Sequence, residues 1–212
     1  LNENERIRIS FYRNTIIHYL IPVSFMSISL LCAENETSVS LKKAGEIFQT
    51  ITDIFSKEFI YPDMMYTAGE PQKLLYPYFE KRKLISIKAQ KAAITKKGAE
   101  ELLFYAKLAE DYLESYLIVF EAVLKLYGKR FSRKELISVI RGHGVRSYHL
   151  ELVKLAESLS ISNYNNAVDF LKKKGCLVEE QSESKNSEFR SERRAELEGC
   201  LKNVIEYLEL IR

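Results

Sequence analysis

Apolar residues in this chain come in two kinds of run, one nearly continuous and the others periodic, and the difference predicts its elements. Arg8 to Ala33 is a long apolar stretch entered through Tyr12-Arg13-Asn14 and interrupted by His18 and Pro22. Its last 19 or so residues, Thr15 to Ala33, have the length to span a bilayer at roughly 1.5 Å rise each. His18, Ser24, Ser27, Ser29 and Pro22 argue against a span, since polar groups and a missing N–H are costly in lipid. The stretch is read as a soluble helix buried on most faces. Past it, Ser40 caps a segment in which Leu41, Ala44, Ile47, Phe48, Ile51, Ile54, Phe55 and Phe59 recur at three and four residues, the stripe of an amphipathic helix. A second helix over 70–83 presents Leu74, Leu75, Tyr78 and Phe79, with Pro71 in its first turn. Strands at 84–87 and 92–94 then flank a polar turn at 88–91, the pattern of a small hairpin.

Thr95 caps a long helix, Lys96 to Tyr127, that turns Leu102, Tyr105, Ala109, Tyr112 and Leu113 inward and Lys107, Glu110, Asp111 and Glu114 to water. From Tyr116 onward its polar face disappears, which places that half either at the centre of the fold or against something absent from this chain. Gly128 ends the helix as a left-handed cap. Ser132-Arg133-Lys134-Glu135 is a capping box opening a helix that Gly142 and Gly144 close. A helix over 147–158 follows, then one over 163–174 capped by Ser162 and ended by Gly175, and a short extended piece at 176–179. The Ser- and Glu-rich run 180–188 reads as an exposed, mobile loop or wing. A final helix over 189–211 packs Leu197, Leu201, Val204, Leu208 and Ile211.

The fold class is therefore mainly α, a helical domain with one or two short β-hairpins. The order helix, helix, hairpin, helix occurs at Ser40–Lys97 and again at Ser132–Gln181, which makes both stretches winged-helix-like. Three parts are expected: an apolar junction helix at 1–36, a helical unit with a hairpin and long helix at 37–127, and a second helical unit at 128–212.

Composition narrows the function less than the pattern does. A chain of 212 residues with 46% hydrophobic and 29% charged residues can bury a core and is not disordered. A net charge of +3 does not by itself argue for a nucleic-acid or membrane partner. Lys81, Arg82, Lys83, Lys88, Lys91, Lys96 and Lys97 cluster around the first wing, where they could meet phosphates. The helix that would enter a DNA groove carries Glu70 and Glu80 and spends Tyr76, Tyr78 and Phe79 on packing, so nucleic acid is not the expected partner. Cys32, Cys176 and Cys200 lack paired metal spacing and read as free thiols in a reducing compartment. No metal or cofactor is expected.

Catalytic constellations are thin. The residues five places after His18, His143 and His149 are Val23, Tyr148 and Lys154, none a carboxylate. No Gly-x-Ser-x-Gly elbow, phosphate-cradling glycine loop or His-Glu-x-x-His stretch occurs. His18 is read as a hydrogen-bonded packing residue on an apolar helix. Arg141, His143, Arg146 and His149 form a basic stretch around a glycine turn that could bind an anion and is read first as a solvated helix junction.

The motif Tyr12-Arg13-Asn14-x-x-x-His18, followed by an apolar run with Pro22, resembles the stretch beyond the catalytic domain in the membrane-associated glycerol-3-phosphate and dihydroxyacetone-phosphate acyltransferases. The likeness continues in order through Asp53–Tyr61, the strand pair leading into Lys97-Gly98, and Tyr112–Ile118, and it is good from Arg6 to Tyr127. Thr15 stands where family members often have a second Asn. The resemblance implies acyl transfer from acyl-CoA or acyl carrier protein to glycerol 3-phosphate, with a His-x-x-x-x-Asp block supplying the base. This chain has no such block, so no catalytic residue is assigned and the chain is not expected to be active alone. Tyr12, Arg13, Asn14 and His18 are candidate domain-junction residues toward an upstream acyltransferase catalytic domain. Leu1 in first place reads as the mark of a chain cut from a longer one. The resemblance further implies association with a membrane, on the cytoplasmic side. Two other readings stay open: an independent winged-helix module binding nucleic acid or protein, and a peripheral membrane element built on the Tyr19–Leu31 and Tyr116–Tyr127 surfaces.

Overall fold

One order of elements occurs twice along the chain: helix, strand, helix, helix, strand, strand, helix. In the computed structural model, residues 3–35, 38–59, 70–181 and 187–212 are described. The first pass is α1 (Glu3–Cys32), β1 (Glu34–Asn35), β2 (Ser38–Ser40), α2 (Leu41–Ile54), α3 (Glu70–Lys81), β3 (Ile85–Lys88), β4 (Lys91–Ile94) and α4 (Lys96–Ala106), with β1 as an addition. The second is α5 (Glu110–Lys125), β5 (Arg130–Ser132), α6 (Arg133–His149), α7 (Ile161–Lys173), β6 (Leu177–Gln181), β7 (Ser187–Ser191) and α8 (Arg194–Ile211). In each, the strand before the helix pair joins the last strand of the hairpin, giving sheet orders β1-β2-β4-β3 and β5-β7-β6. This is winged-helix topology, as the sequence pattern predicts. The chain packs as two compact units, one taking in residues up to Asp53, Phe59–Ala109 and Ile211, the other Ile54–Glu58, Glu110–Leu210 and Arg212. The sequence reading drew its divisions at residues 36 and 127.

In the first unit α1 packs against α4. Ile21, Phe25, Met26, Ile28 and Leu30 are fully buried on it, and so are Ser24, Ser27 and Ser29. Those serines do not require a wet surface. Ser27 and Ser29 donate to the carbonyls of Val23 and Phe25 at 2.8 and 2.7 Å, and Ser24 Oγ lies 3.5 Å from the Ala106 carbonyl. Among the described residues, no helix is long and apolar enough to cross a membrane. The hairpin is antiparallel with Ile85 opposite Ile94 and Lys88 opposite Lys91. Thr95 accepts from the Gly98 N–H at 2.9 Å, the expected N-cap. Gly98 is required by packing, since a Cβ there would lie 1.9 Å from the Leu84 carbonyl oxygen.

In the second unit α5 packs against both α6 and α7. Tyr116, Val119, Phe120 and Val123 are fully buried, so the apolar half expected from Tyr116 onward is central here. Phe131 and Phe189, opposite one another on β5 and β7, stack at 6.4 Å. The capping box is complete: Ser132 Oγ accepts from the Glu135 N–H, and the Glu135 carboxylate accepts from Ser132 N–H at 2.7 Å. Those bonds hold the Glu135 carboxyl below its ordinary value.

Seven expectations need correction. The continuous helix over 96–127 is broken by a 3-10 turn at Lys107–Ala109. Asp111 and Glu114, expected in water, are buried, as is every residue between Asp111 and Tyr116. The helix from Ser132 does not stop at its glycines but runs to His149, and the predicted helix over 147–158 is a loop with a 3-10 turn at Ala156–Leu159. The cap of α7 is Ser160, which accepts from Asn163 N–H at 3.4 Å, rather than Ser162. The final helix begins at Arg194, because Phe189 is spent on β7. The polar run 180–188 contributes to β6 and β7 at its two ends, with 182–186 outside the described residues.

Candidate functional site

The junction residues named from sequence lie along α1. The backbone of Tyr12, Arg13 and Asn14 is helical, and their side chains lie outside the described residues. His18, one turn further, is half-buried with its ring edge-on to Phe59 at 5.9 Å, and Phe59 stands edge-on to Phe25 at the same distance. The aromatic packing agrees with a packing role for His18.

Arg141, His143, Arg146 and His149 are brought together on α6 instead of around a turn. His143 Nε2 lies 2.6 Å from Glu121 Oε2, and its Nδ1 lies 3.0 Å from Lys125 Nζ. An ammonium can only donate, so Nδ1 accepts and Nε2 carries the proton toward the carboxylate. With both ring nitrogens engaged, the imidazole holds α5 against α6.

A carboxylate that the sequence reading placed in water is the best-connected side chain of the second unit. Glu114 is fully buried on α5. Its oxygens accept from the Lys154 N–H at 2.7 Å, the Leu155 N–H at 3.1 Å, the Ser158 hydroxyl at 2.6 Å and the Arg212 guanidinium. Arg212 also pairs with Glu110 at 3.6 Å. These bonds explain why 150–155 is not helical: Glu114 takes backbone donors that a helix would use internally. Beside them lies a cavity of about 200 Å³ lined by Leu117, Ile118, Leu152, Val153 and Leu208, with Arg212 at its wall. The only sequence signal for Glu114 is a carboxylate set inside an apolar run.

Glu58, also of this unit, accepts from Asn166 Nδ2 at 3.1 Å and lies 3.4 Å from the Tyr116 hydroxyl; burial raises its carboxyl above the ordinary value. Burial likewise pushes the Cys176 thiol up to about 11, which leaves it inert at neutral pH. Cys32, Cys176 and Cys200 are free thiols. Among the described residues, no group of three or more His, Cys, Asp or Glu side chains is placed to hold a metal ion.

On the first unit the expected basic cluster is real in space. Lys81, Arg82, Lys83, Lys88, Lys91, Lys96 and Lys97 are all exposed on the hairpin and the helix ends at its base. Arg82 donates to the hydroxyls of Tyr78 and Tyr105 at 3.2 and 3.0 Å and to Glu101 at 2.9 Å, joining α3 to α4. Lys97 pairs with Glu101 at 3.2 Å. Of the alternative membrane surfaces, residues 24–30 and most of 116–123 are buried, while Tyr19 and Tyr127 are exposed.

No curated protein matches the chain. The family model described as glycerol-3-phosphate acyltransferase C-terminal region matches residues 1–180. The match spans α1, the whole first winged-helix-like unit and the second as far as β6. On that match, the chain belongs to the glycerol-3-phosphate acyltransferase C-terminal region family.

Proposed function

We propose that this chain is the non-catalytic C-terminal portion of an enzyme that acylates the first hydroxyl of glycerol 3-phosphate or dihydroxyacetone phosphate, in the opening step of phospholipid synthesis. The acyl donor is a thioester, acyl-CoA or acyl carrier protein. The family match over residues 1–180 carries this reading. In support, no histidine has a carboxylate five residues on, and His143 has both ring nitrogens engaged. Chemistry is thereby left to an upstream acyltransferase domain, against which this portion packs, with Tyr12, Arg13, Asn14 and His18 at the junction. The parent works at a membrane on its cytoplasmic, reducing side, a setting consistent with three free thiols.

Arg13→Ala in the full-length enzyme tests the junction. The expected result is a severalfold loss of glycerol 3-phosphate acylation or a lowered melting temperature; unchanged activity and stability would remove the junction role. The 212-residue chain alone is expected to acylate neither acceptor.

A further inference from the structure

We infer that the first wing, with the exposed faces of α3 and α4 at its base, is a docking surface for an anionic lipid bilayer. The charge is concentrated there beyond anything the whole chain suggests. Residues Lys81 to Lys97 hold seven of the 32 Lys and Arg and none of the 29 Asp and Glu, so the rest of the chain carries more acid than base. Lys81, Lys83, Lys88, Lys91 and Lys96 have no acidic partner among the described residues.

The hairpin tip keeps two features that work against its own stability. Lys88 and Lys91 stand directly opposite one another, a like-charge pair. Between them Ala89 and Gln90 have φ of 47° and 65°, the region where Gly and Asn are the usual residues. The turn conformation is used inside the unit, where the Gln90 carbonyl accepts from the Leu41 N–H at 3.3 Å, but among the described residues neither Lys88 nor Lys91 has a carboxylate partner; against a negatively charged surface both lysines become favourable.

Apolar groups accompany the charge. Leu74, Tyr78 and Lys81 share a face of α3 at spacings of four and three, and Lys97, Glu101 and Phe104 share one of α4. Leu74 is 56% and Phe104 66% exposed. The bonds of Arg82 to Tyr78, Tyr105 and Glu101 tie the two faces together. Cations beside exposed Leu, Tyr and Phe suit a bilayer, where headgroups take the charge and the acyl boundary takes the rings. Duplex DNA would use only the lysines, since α3 offers Leu74, Pro77, Tyr78 and Glu80 where base-reading amides would be needed.

The inference deepens the membrane setting proposed above and rests on it for the partner. Its test uses the 212-residue chain and sedimentation with two kinds of vesicle, phosphatidylcholine alone and phosphatidylcholine with phosphatidylglycerol at two to one. The chain is expected to bind the mixed vesicles at low salt and not the neutral ones. At about fivefold per cation lost, Lys88→Glu/Lys91→Glu/Lys96→Glu, which removes three cations and adds three anions, is expected to lower partitioning by more than about 100-fold. Leu74→Ser/Phe104→Ser is expected to lower it about tenfold at unchanged charge. Circular dichroism checks folding, and Lys88→Gln/Lys91→Gln replaces the reversal should that variant unfold, with a loss on the order of 20-fold expected. Equal partitioning into both vesicles, folded charge variants that bind as the parent does, an unaffected Leu74/Phe104 variant, or binding to duplex DNA without binding to vesicles would each overturn it. Failure here is separable from failure of the acyltransferase reading, which is scored by acylation in detergent solution.

Discussion

Glu114 shows how far a residue's role is set by partners distant in sequence. Its donors sit at Lys154, Leu155, Ser158 and Arg212, and no local pattern around Leu113-Glu114-Ser115 points to them. Ser132 with Glu135 and Thr95 with Gly98 were legible because each bond spans three residues. Removing Glu114 leaves Arg212 only its pair with Glu110 and strands three other buried donors, so Glu114→Ala is expected to cost about 3 kcal/mol in urea unfolding of the chain; a loss within error would show the network to be dispensable. Glu58 gives the pH dependence. Burial raises its folded value above 4.5, so the folded state holds the proton more tightly than the unfolded chain does. The stability this group contributes is present below 4.5 and is lost as pH rises through the raised folded value. Glu58→Gln keeps the Asn166 and Tyr116 contacts in shape and is expected to flatten that fall, raising the midpoint of thermal unfolding at neutral pH relative to the parent; an unchanged pH profile would contradict the assignment.

At the level of elements, the sequence reading succeeded where punctuation and periodicity agreed. The β3–β4 hairpin, the α2 stripe as far as Ile54 and the left-handed stop at Gly128, with φ of 77°, all follow from adjacent residues, whereas Phe55 and Phe59, read as part of the same stripe, lie past the helix end. It failed where tertiary packing overrode local preference. Gly142 and Gly144 were read as a stop, yet α6 continues through both, since a glycine inside a helix costs only about 1 kcal/mol. The 3-10 turn at Lys107–Ala109 interrupts the expected helix and carries no residue signature. Two glycine substitutions separate these cases. Gly142→Ala meets nothing within 4 Å and is expected to stabilise by about 0.5–1 kcal/mol. Gly98→Ala drives a methyl into the Leu84 carbonyl and is expected to cost about 3 kcal/mol. Thermal unfolding of both variants checks the pair, and equal effects would contradict the packing described for the first unit.

For the molecule as a whole, the doubled helix–strand–helix–helix–strand–strand–helix order was visible in outline, because both Ser40–Lys97 and Ser132–Gln181 show two helices followed by a hairpin. Strands β2 and β5 were not, being three residues each and recognisable only through their pairing with β4 and β7. The family was legible from Tyr12–His18 and the segments after it, and the match over residues 1–180 extends past Tyr127, where the resemblance faded. The family match carries the functional claim, and of the proposed junction residues His18 is the one whose packing the described structure shows. Capture of the native protein, with an antibody raised against this chain, from the cells that make it provides the most direct measurement. The captured material is assayed for acyl transfer to labelled glycerol 3-phosphate and dihydroxyacetone phosphate, with acyl-CoA and with acyl carrier protein, beside the 212-residue chain alone. The account predicts acylated product from the captured protein and none from the isolated chain; capture of intact protein that acylates neither acceptor, or acylation by the chain alone, would contradict it.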